Sequence, residues 1–234
     1  MRKFFAVSSL FNIKDVKEYS PAFRQVAKET ISHECLVAWL RTGHILASQM
    51  ELKIFDKRKL KSYMSRITEL TRESNPNVLL KKLALILAEC GVALVVIPHF
   101  TKTYTNGATF WIGKAKAVVM MSLRASWSDI FWFSLLHEIG HILRHDKRLT
   151  FLENSSTNPQ YVKQEEEANS FAQEMLLPTK DYDKFIRNKD FSPSAIKRFA
   201  NEVRVSAGIV TGRLLHDKKL PHTTNHYRIR YKWK

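Results

Sequence analysis

Five residues in the middle of the chain, His137-Glu138-Ile139-Gly140-His141, have types and spacing that can do chemistry. In a helix, residues four apart lie on one face, about 6 Å apart along the axis. Two imidazoles so placed can converge on one zinc ion at about 2.0–2.1 Å. Glu138, one residue after the first imidazole, can reach a water on that ion and take its proton. An incidental core helix would carry the same five residues with no metal, so a third ligand decides. A catalytic zinc takes that ligand from another element and leaves a fourth position to water. An extension of the pattern along the same helix would place Gly at 144 and His at 147, where this chain has Arg144 and Lys147. His145 follows His141 by four residues, but one helix cannot easily wrap three side chains around one ion. It reads as a supporting or surface histidine.

The run Glu165-Glu166-Glu167, which opens the next helical pattern, is the source to examine. Acidic residues are favoured in a first helical turn whatever their function, so periodicity must separate the three. The apolar face of that helix is Ala168, Phe171, Ala172, Met175 and Leu176. At 100° per residue, Glu165 lies about 50° from the centre of this face, Glu167 about 110° and Glu166 about 150°. A carboxylate that must reach a buried ion is therefore Glu165. It stacks over Asn169, four residues on, which can hold a ligand by hydrogen bonding. The metal set read from spacing and face is His137, His141 and Glu165, with Zn2+ as the cofactor and Glu138 as the general base. His216 is a further candidate: an imidazole there can stabilise an oxyanion if the C-terminal helices fold back over the ion.

The elements that must position these groups are legible in outline. Phe131, Trp132, Leu135, Leu136, Ile139, Ile142 and Leu143 make the segment from about 128 to 144 a buried helix. The Glu165 helix runs from about 164 to 177 and is stopped by Pro178. Upstream, residues 78–90 read as a helix ended by Gly91. Residues 92–98, 108–112 and 117–121 read as strands, with Gly113 in the turn between the last two. Ser20-Pro21 is a helix-start signal. Residues 35–45 form a helical stripe, and Asp56 caps another helix. Ser192-Pro193 and Ser206 start two more, spanning 192–216 in a helix-turn-helix outline. Asn75-Pro76-Asn77 is the boundary signal. The expected domains are a helical extension over 1–75, a catalytic unit over 76–222 that includes the 192–216 pair, and a basic tail over 223–234.

His137-Glu-Ile-Gly-His141 followed by Glu165-Glu-Glu-Ala-Asn-Ser-Phe-Ala-Gln-Glu-Met-Leu-Leu-Pro178 resembles the ImmA/IrrE family of zinc metallopeptidases. In that family a Glu four residues before an Asn or Asp supplies the third ligand, which carries over onto Glu165. Gly107-Ala-Thr-Phe-Trp111, Ser122-Leu-Arg124, Phe131-Trp-Phe133 and Gly208-Ile-Val-Thr-Gly-Arg-Leu214 are similar to a branch of antitoxin-like regulators. There an XRE-type helix-turn-helix precedes the peptidase; it is not among these 234 residues. That departure bears on DNA binding and leaves the metal site untouched. The resemblance implies an α+β, zincin-like fold: a small, mainly antiparallel sheet of about three strands on the zinc helix, with the helical extension before it. It also implies a zinc endopeptidase cutting a narrow protein substrate, typically an XRE-type repressor, in a stress, mobile-element or toxin–antitoxin system. The alternative is a non-catalytic regulator whose peptidase-like domain binds a partner or senses a ligand. The intact Glu138 speaks against it, because a scaffold has no chemical need for that base.

Composition bounds these readings. The 234 residues are 44% hydrophobic and 26% charged, which is ordinary globular usage and excludes disorder, collagen and coiled coil as whole-chain descriptions. No run of eighteen apolar residues occurs, so no membrane span is expected. Two cysteines cannot build a disulfide framework and suit a reducing, cytoplasmic setting. The net charge is +16 and unevenly spread: +6 over 1–75, +2 over 76–190 and +8 over 191–234. Basic ends can follow nucleic-acid phosphates, so DNA stands as a possible partner. The alternating tail, Arg228-Ile-Arg-Tyr-Lys-Trp-Lys234, reads first as an edge strand protected by its lysines.

Overall fold

Side-chain caps set several of the helix starts in the computed structural model, which describes residues 1–9, 12, 16, 32–122, 124, 126–145, 151–152 and 159–232. A one-turn helix α1 (Arg2–Phe5) comes first. The helix expected after Ser20-Pro21 lies outside the described residues. Ser32 accepts a hydrogen bond from the Cys35 N–H and opens α2 (His33–Ser48). Asp56 accepts from the Arg58 and Lys59 N–H groups and opens α3 (Lys57–Ser62), which leads into α4 (Met64–Glu69) and a 3-10 turn. Asn75 caps α5 (Pro76–Glu89), with Pro76 in the first turn where its missing N–H costs nothing. Glu89, for which the sequence suggests no role, receives the Tyr63 hydroxyl at 3.0 Å and the Lys59 ammonium at 3.1 Å. These contacts tie α3 and the start of α4 to the end of α5.

Four strands follow: β1 (Val92–Ile97), β2 (Gly107–Ile112), β3 (Lys116–Ser122) and the two-residue β4 (Phe151–Leu152). Their order is β1-β3-β2-β4. β2 and β3 form an antiparallel hairpin, and Gly113 in its turn has φ +60°. β3 then inserts beside β1 in parallel, Val92 opposite Ala117 through Ile97 opposite Ser122. β4 pairs antiparallel with Ala108 and Thr109 of β2. The fold is α+β with a mixed sheet, two pairings antiparallel and one parallel.

Alternation along the strands gives the sheet two buried faces. Val92, Leu94, Ala117, Val119 and Met121 face the larger core. There they meet Phe131, Trp132, Leu135 and Ile139 of α6 (Ser128–Arg144), together with Leu60, Met64 and Ile67. Ala93, Val95, Phe110, Val118 and Met120 face a second core built with Leu36, Val37, Trp39, Leu40 and Ala47 of α2. The central β3 is therefore apolar at five consecutive positions, Ala117 to Met121. The helix before the expected Pro178 stop is α7 (Pro159–Leu176), which starts five residues earlier than the sequence signals. A helix missed in the sequence, α8 (Thr179–Arg187), buries Tyr182 and Phe185. Then come α9 (Pro193–Glu202), capped by Ser192, and α10 (Ala207–His216). Ser206 makes no side-chain cap to α10; its N–H instead donates to the Thr71 hydroxyl at 3.0 Å. Both helices bury their apolar sides, Ile196, Phe199, Ile209 and Leu214 among them, in the larger core. No helix among the described residues is long and apolar enough to cross a membrane.

The basic tail is bound into this core. The Ser128 N–H, first in α6, donates to the Ile229 carbonyl at 2.8 Å, and the Tyr231 N–H donates to Ser126 at 2.7 Å. Arg228 forms an ion pair with Asp129 at 2.8 Å, with both side chains nearly buried, and stacks on Trp127. Tyr231 is 2% exposed, and its hydroxyl accepts from the Trp132 indole at 3.0 Å. Among the described residues, the expected edge strand is represented by a single bridge, Trp127 with Arg230. Trp127 offers no side-chain cap; the tail satisfies the start of the helix in its place. Tyr231→Ala should therefore cost about 3–5 kcal/mol in urea unfolding, as truncation of a buried aromatic does. A loss under 1 kcal/mol would show that the tail is not part of the fold.

Candidate metal centre

The buried helix α6 presents its polar residues inward. His137, Glu138 and His141 are 1%, 0% and 1% exposed. The two imidazoles sit one turn apart with ring centroids 4.6 Å from each other and their Nε2 atoms 2.9 Å apart. α7 lies against α6 where Gly140 leaves room: a Cβ there would sit 3.1 Å from the Phe171 ring and 3.3 Å from the Ala168 Cα. That contact brings the carboxylate of Glu165 to the imidazole pair. Its two oxygens are 3.3 Å from His137 Nε2 and 3.2 Å from His141 Nε2. Among the described residues, this group offers one ligand atom from each side chain, all within 4.8 Å of one another. Glu166 is exposed, and Glu167 turns to His145 at 3.1 Å. The three glutamates thus separate by face as helical periodicity predicts.

The outer hydrogen bonds decide where the imidazole protons are. His137 Nδ1 lies 2.8 Å from Asn169 Oδ1, which only accepts, so Nδ1 carries the proton and Nε2 turns a lone pair inward. Asn169 holds His137 rather than the carboxylate over which the sequence stacks it. Glu167 accepts from His145 Nε2, leaving His145 Nδ1 to accept from His141 Nδ1 at 2.9 Å. His141 Nε2 then also turns a lone pair inward. Burial disfavours a charge on His141 and on His145: it pushes His141 down to about 4 and lowers His145 as well. Burial alone would raise Glu165, but its contacts with His137 and His141 outweigh that and pull it down to about 2. The ionised Glu165 carboxylate thus faces the inner nitrogens of His137 and His141. Two imidazole nitrogens and a carboxylate so placed are a set that a metal cation can satisfy. Ligands at about 2.0–2.1 Å from a tetrahedral ion lie about 3.3 Å apart, close to the separations here.

Glu138 has a seat of its own, built by β2. The Thr109 hydroxyl donates to Glu138 Oε2 at 2.6 Å. Two residues earlier, on the same face of the strand, a Cβ at Gly107 would sit 2.7 Å from Glu138 Oε1. Gly107 makes the space and Thr109 supplies the hydrogen bond. Neither role is legible in the sequence, where Thr109 reads as part of the 108–112 strand and Gly107 precedes it. His216 lies elsewhere: it ends α10, is 74% exposed and bonds Asp217 at 3.0 Å. The structure brings His137, His141 and Glu165 together and does not add His216 to them.

The sequence profile of the IrrE N-terminal-like domain, peptidase family M78, matches residues 93–215, more than half of the chain. The chain belongs to the ImmA/IrrE family. The match runs from β1 into the last turn of α10 and contains all three converging side chains, Glu138 and Thr109. It carries a metallopeptidase-type function and, with it, a polypeptide substrate. Helix α2, which covers the far face of the sheet, lies outside the matched segment, and so does His216. No curated protein matches the chain. Within this centre, Asn169→Ala removes the acceptor that fixes the His137 tautomer. Metal affinity, measured by competition with a chelating dye, should fall about 10- to 100-fold; an unchanged affinity would mean that the ring needs no such orientation.

Proposed function

We propose that the chain is a zinc-dependent endopeptidase, using His137, His141 and Glu165 as ligands and Glu138 as general base. The observation that carries this reading is the convergence of two buried imidazole nitrogens and a carboxylate beside a separately seated carboxylate. Two imidazoles and one glutamate form a three-ligand set of the kind that catalytic zinc uses. Zinc there would lower the pKa of a water and polarise the scissile carbonyl. Glu138 takes a proton from the attacking water and returns it to the leaving amine. The Thr109 hydrogen bond keeps that carboxylate in one orientation through both transfers. His216 is the proposed oxyanion partner. What supports this is its place on the rim of a cavity that includes Phe133, the neighbour of His137. A substrate backbone would add along β2 as an extra strand. Among the described residues, β4 takes that edge at Ala108 and Thr109, and the added strand would run beside Phe110 to Ile112.

The substrate proposed is a helix-turn-helix repressor of the XRE type, cut in the cytoplasm as part of a stress, mobile-element or toxin–antitoxin response. Support for it comes from family membership and from the resemblance of the 107–111 and 208–214 segments to the antitoxin-like branch.

The purified protein should hold about one zinc per chain, and His141→Ala should lose it. Unchanged zinc in that variant would refute the ligand set. Glu138→Gln should keep the zinc and lower cleavage of a pool of proteome-derived peptides, followed by mass spectrometry, by about 10²- to 10⁴-fold. Equal cleavage would refute the general-base role. Thr109→Val should lower turnover about 10- to 100-fold, the worth of a hydrogen bond to a buried carboxylate, and Thr109→Ser should restore it. If Val and Ser behave alike, the hydroxyl does not position Glu138.

A further inference from the structure

A cavity of about 210 Å³ lies beside the metal centre, and neither the metal set nor the general base uses it. Its walls are Ile130, Phe133 and Ser134 of α6, Gln173 and Leu176 of α7, and Ile209 of α10. The first two helices are the ones that carry the ligands. At 100° per residue, Ile130 and Ser134 fall within about 60° of His137 and His141 on α6. On α7, Gln173 and Leu176 fall within about 80° of Glu165 and Asn169. The cavity therefore continues the metal-facing stripe of both helices by one to two turns. Phe133 joins the two sites, its ring centroid 6.4 Å from that of His137. An extended polypeptide advances about 3.3 Å per residue. A residue next to the scissile bond, held at the metal set, would thus direct its side chain towards Phe133 and the cavity.

The lining also limits what can enter. Asp129 and Arg213, the charged residues among it, are each neutralised from outside. Arg228 holds Asp129 at 2.8 Å, and Asp217 holds Arg213 at 2.8 Å. Among the described lining residues no uncompensated charge is left to select a charged group, and the rest of that wall is mainly apolar. A dry cavity of about 150 Å³ lined by Leu, Ile and Phe is large enough for benzene, so this one accommodates a phenyl or isobutyl group. We infer that this three-helix cavity is the specificity pocket of the centre, taking a Phe- or Leu-sized side chain from the substrate residue next to the scissile bond. The inference rests on the peptidase reading above. It gives α10, otherwise one half of a helix-turn-helix outline, a direct part in substrate choice.

Two hydroxamates test it by binding rather than turnover. Acetohydroxamate reaches only the ion; 3-phenylpropanohydroxamate carries a phenyl group on a two-carbon stem long enough for the cavity. Titration calorimetry on the zinc-loaded protein should show the phenyl compound binding about 10- to 100-fold more tightly, the effect of burying one such group. Ile130→Trp and Gln173→Trp each fill the cavity from a position that is already partly exposed. In both variants the ratio of the two affinities should collapse towards one. Equal affinities in the wild type, or a ratio preserved in both variants, would overturn the pocket and leave the metal centre standing. If neither hydroxamate binds the zinc-loaded protein, the metal-centre reading fails and this inference fails with it.

Discussion

Two imidazole nitrogens 2.9 Å apart rest beside a carboxylate, and a positive charge among them would satisfy all three. That electrostatic demand organises the middle of the fold. The proton positions are set from outside, by Asn169 on one ring and by the His145–Glu167 chain on the other. Burial pushes His141 down to about 4, so protonation of that ring does not meet the demand near pH 7. Desolvated acceptors of this kind are costly alone and favourable once they share a cation. Metal binding and folding are then coupled, and the chain spends its packing on holding the three groups together.

Helix α6 is the axis of that arrangement, and each part of it is held by a different element. The tail satisfies its first N–H and sets Tyr231 against Trp132. β2 holds its middle through Thr109 and the space at Gly107. α7 holds its C-terminal half through the approach at Gly140. The sheet can do this because it is itself held from behind: α2 covers the opposite face with Trp39 and its neighbours. A strand buttressed on both sides gives Glu138 a rigid partner, which a general base needs if its carboxylate is to stay aimed.

What the sequence made legible was local. Two histidines four apart, and one glutamate of three on the buried side of a helix, are consequences of 3.6 residues per turn. The structure places His137, His141 and Glu165 together accordingly. Asp56 and Ser192-Pro193 mark helix starts through bonds that span two or three residues, and the structure makes those bonds; Asn75-Pro76, read as a boundary, is a third such start. Distant pairings left no such trace. The parallel insertion of β3 beside β1, the pairing of β4 and the bond from Thr109 to Glu138 each join segments far apart in sequence. The tail misleads for the same reason. Its alternation of basic and apolar residues suits an edge strand or a phosphate contact, yet Arg228 and Tyr231 have partners about a hundred residues away in Asp129 and Trp132. Helix α8 was masked by its many charges, although Tyr182, Phe185 and Ile186 carry the helical spacing.

X-ray absorption at the zinc edge of the purified protein tests the central claim most directly. The account predicts one zinc per chain in a shell of nitrogen and oxygen only, at about 2.0–2.1 Å, with the outer scattering of two imidazoles. A protein that purifies with no metal and takes none up, or a shell containing sulfur at about 2.3 Å from Cys35 or Cys90, would contradict it.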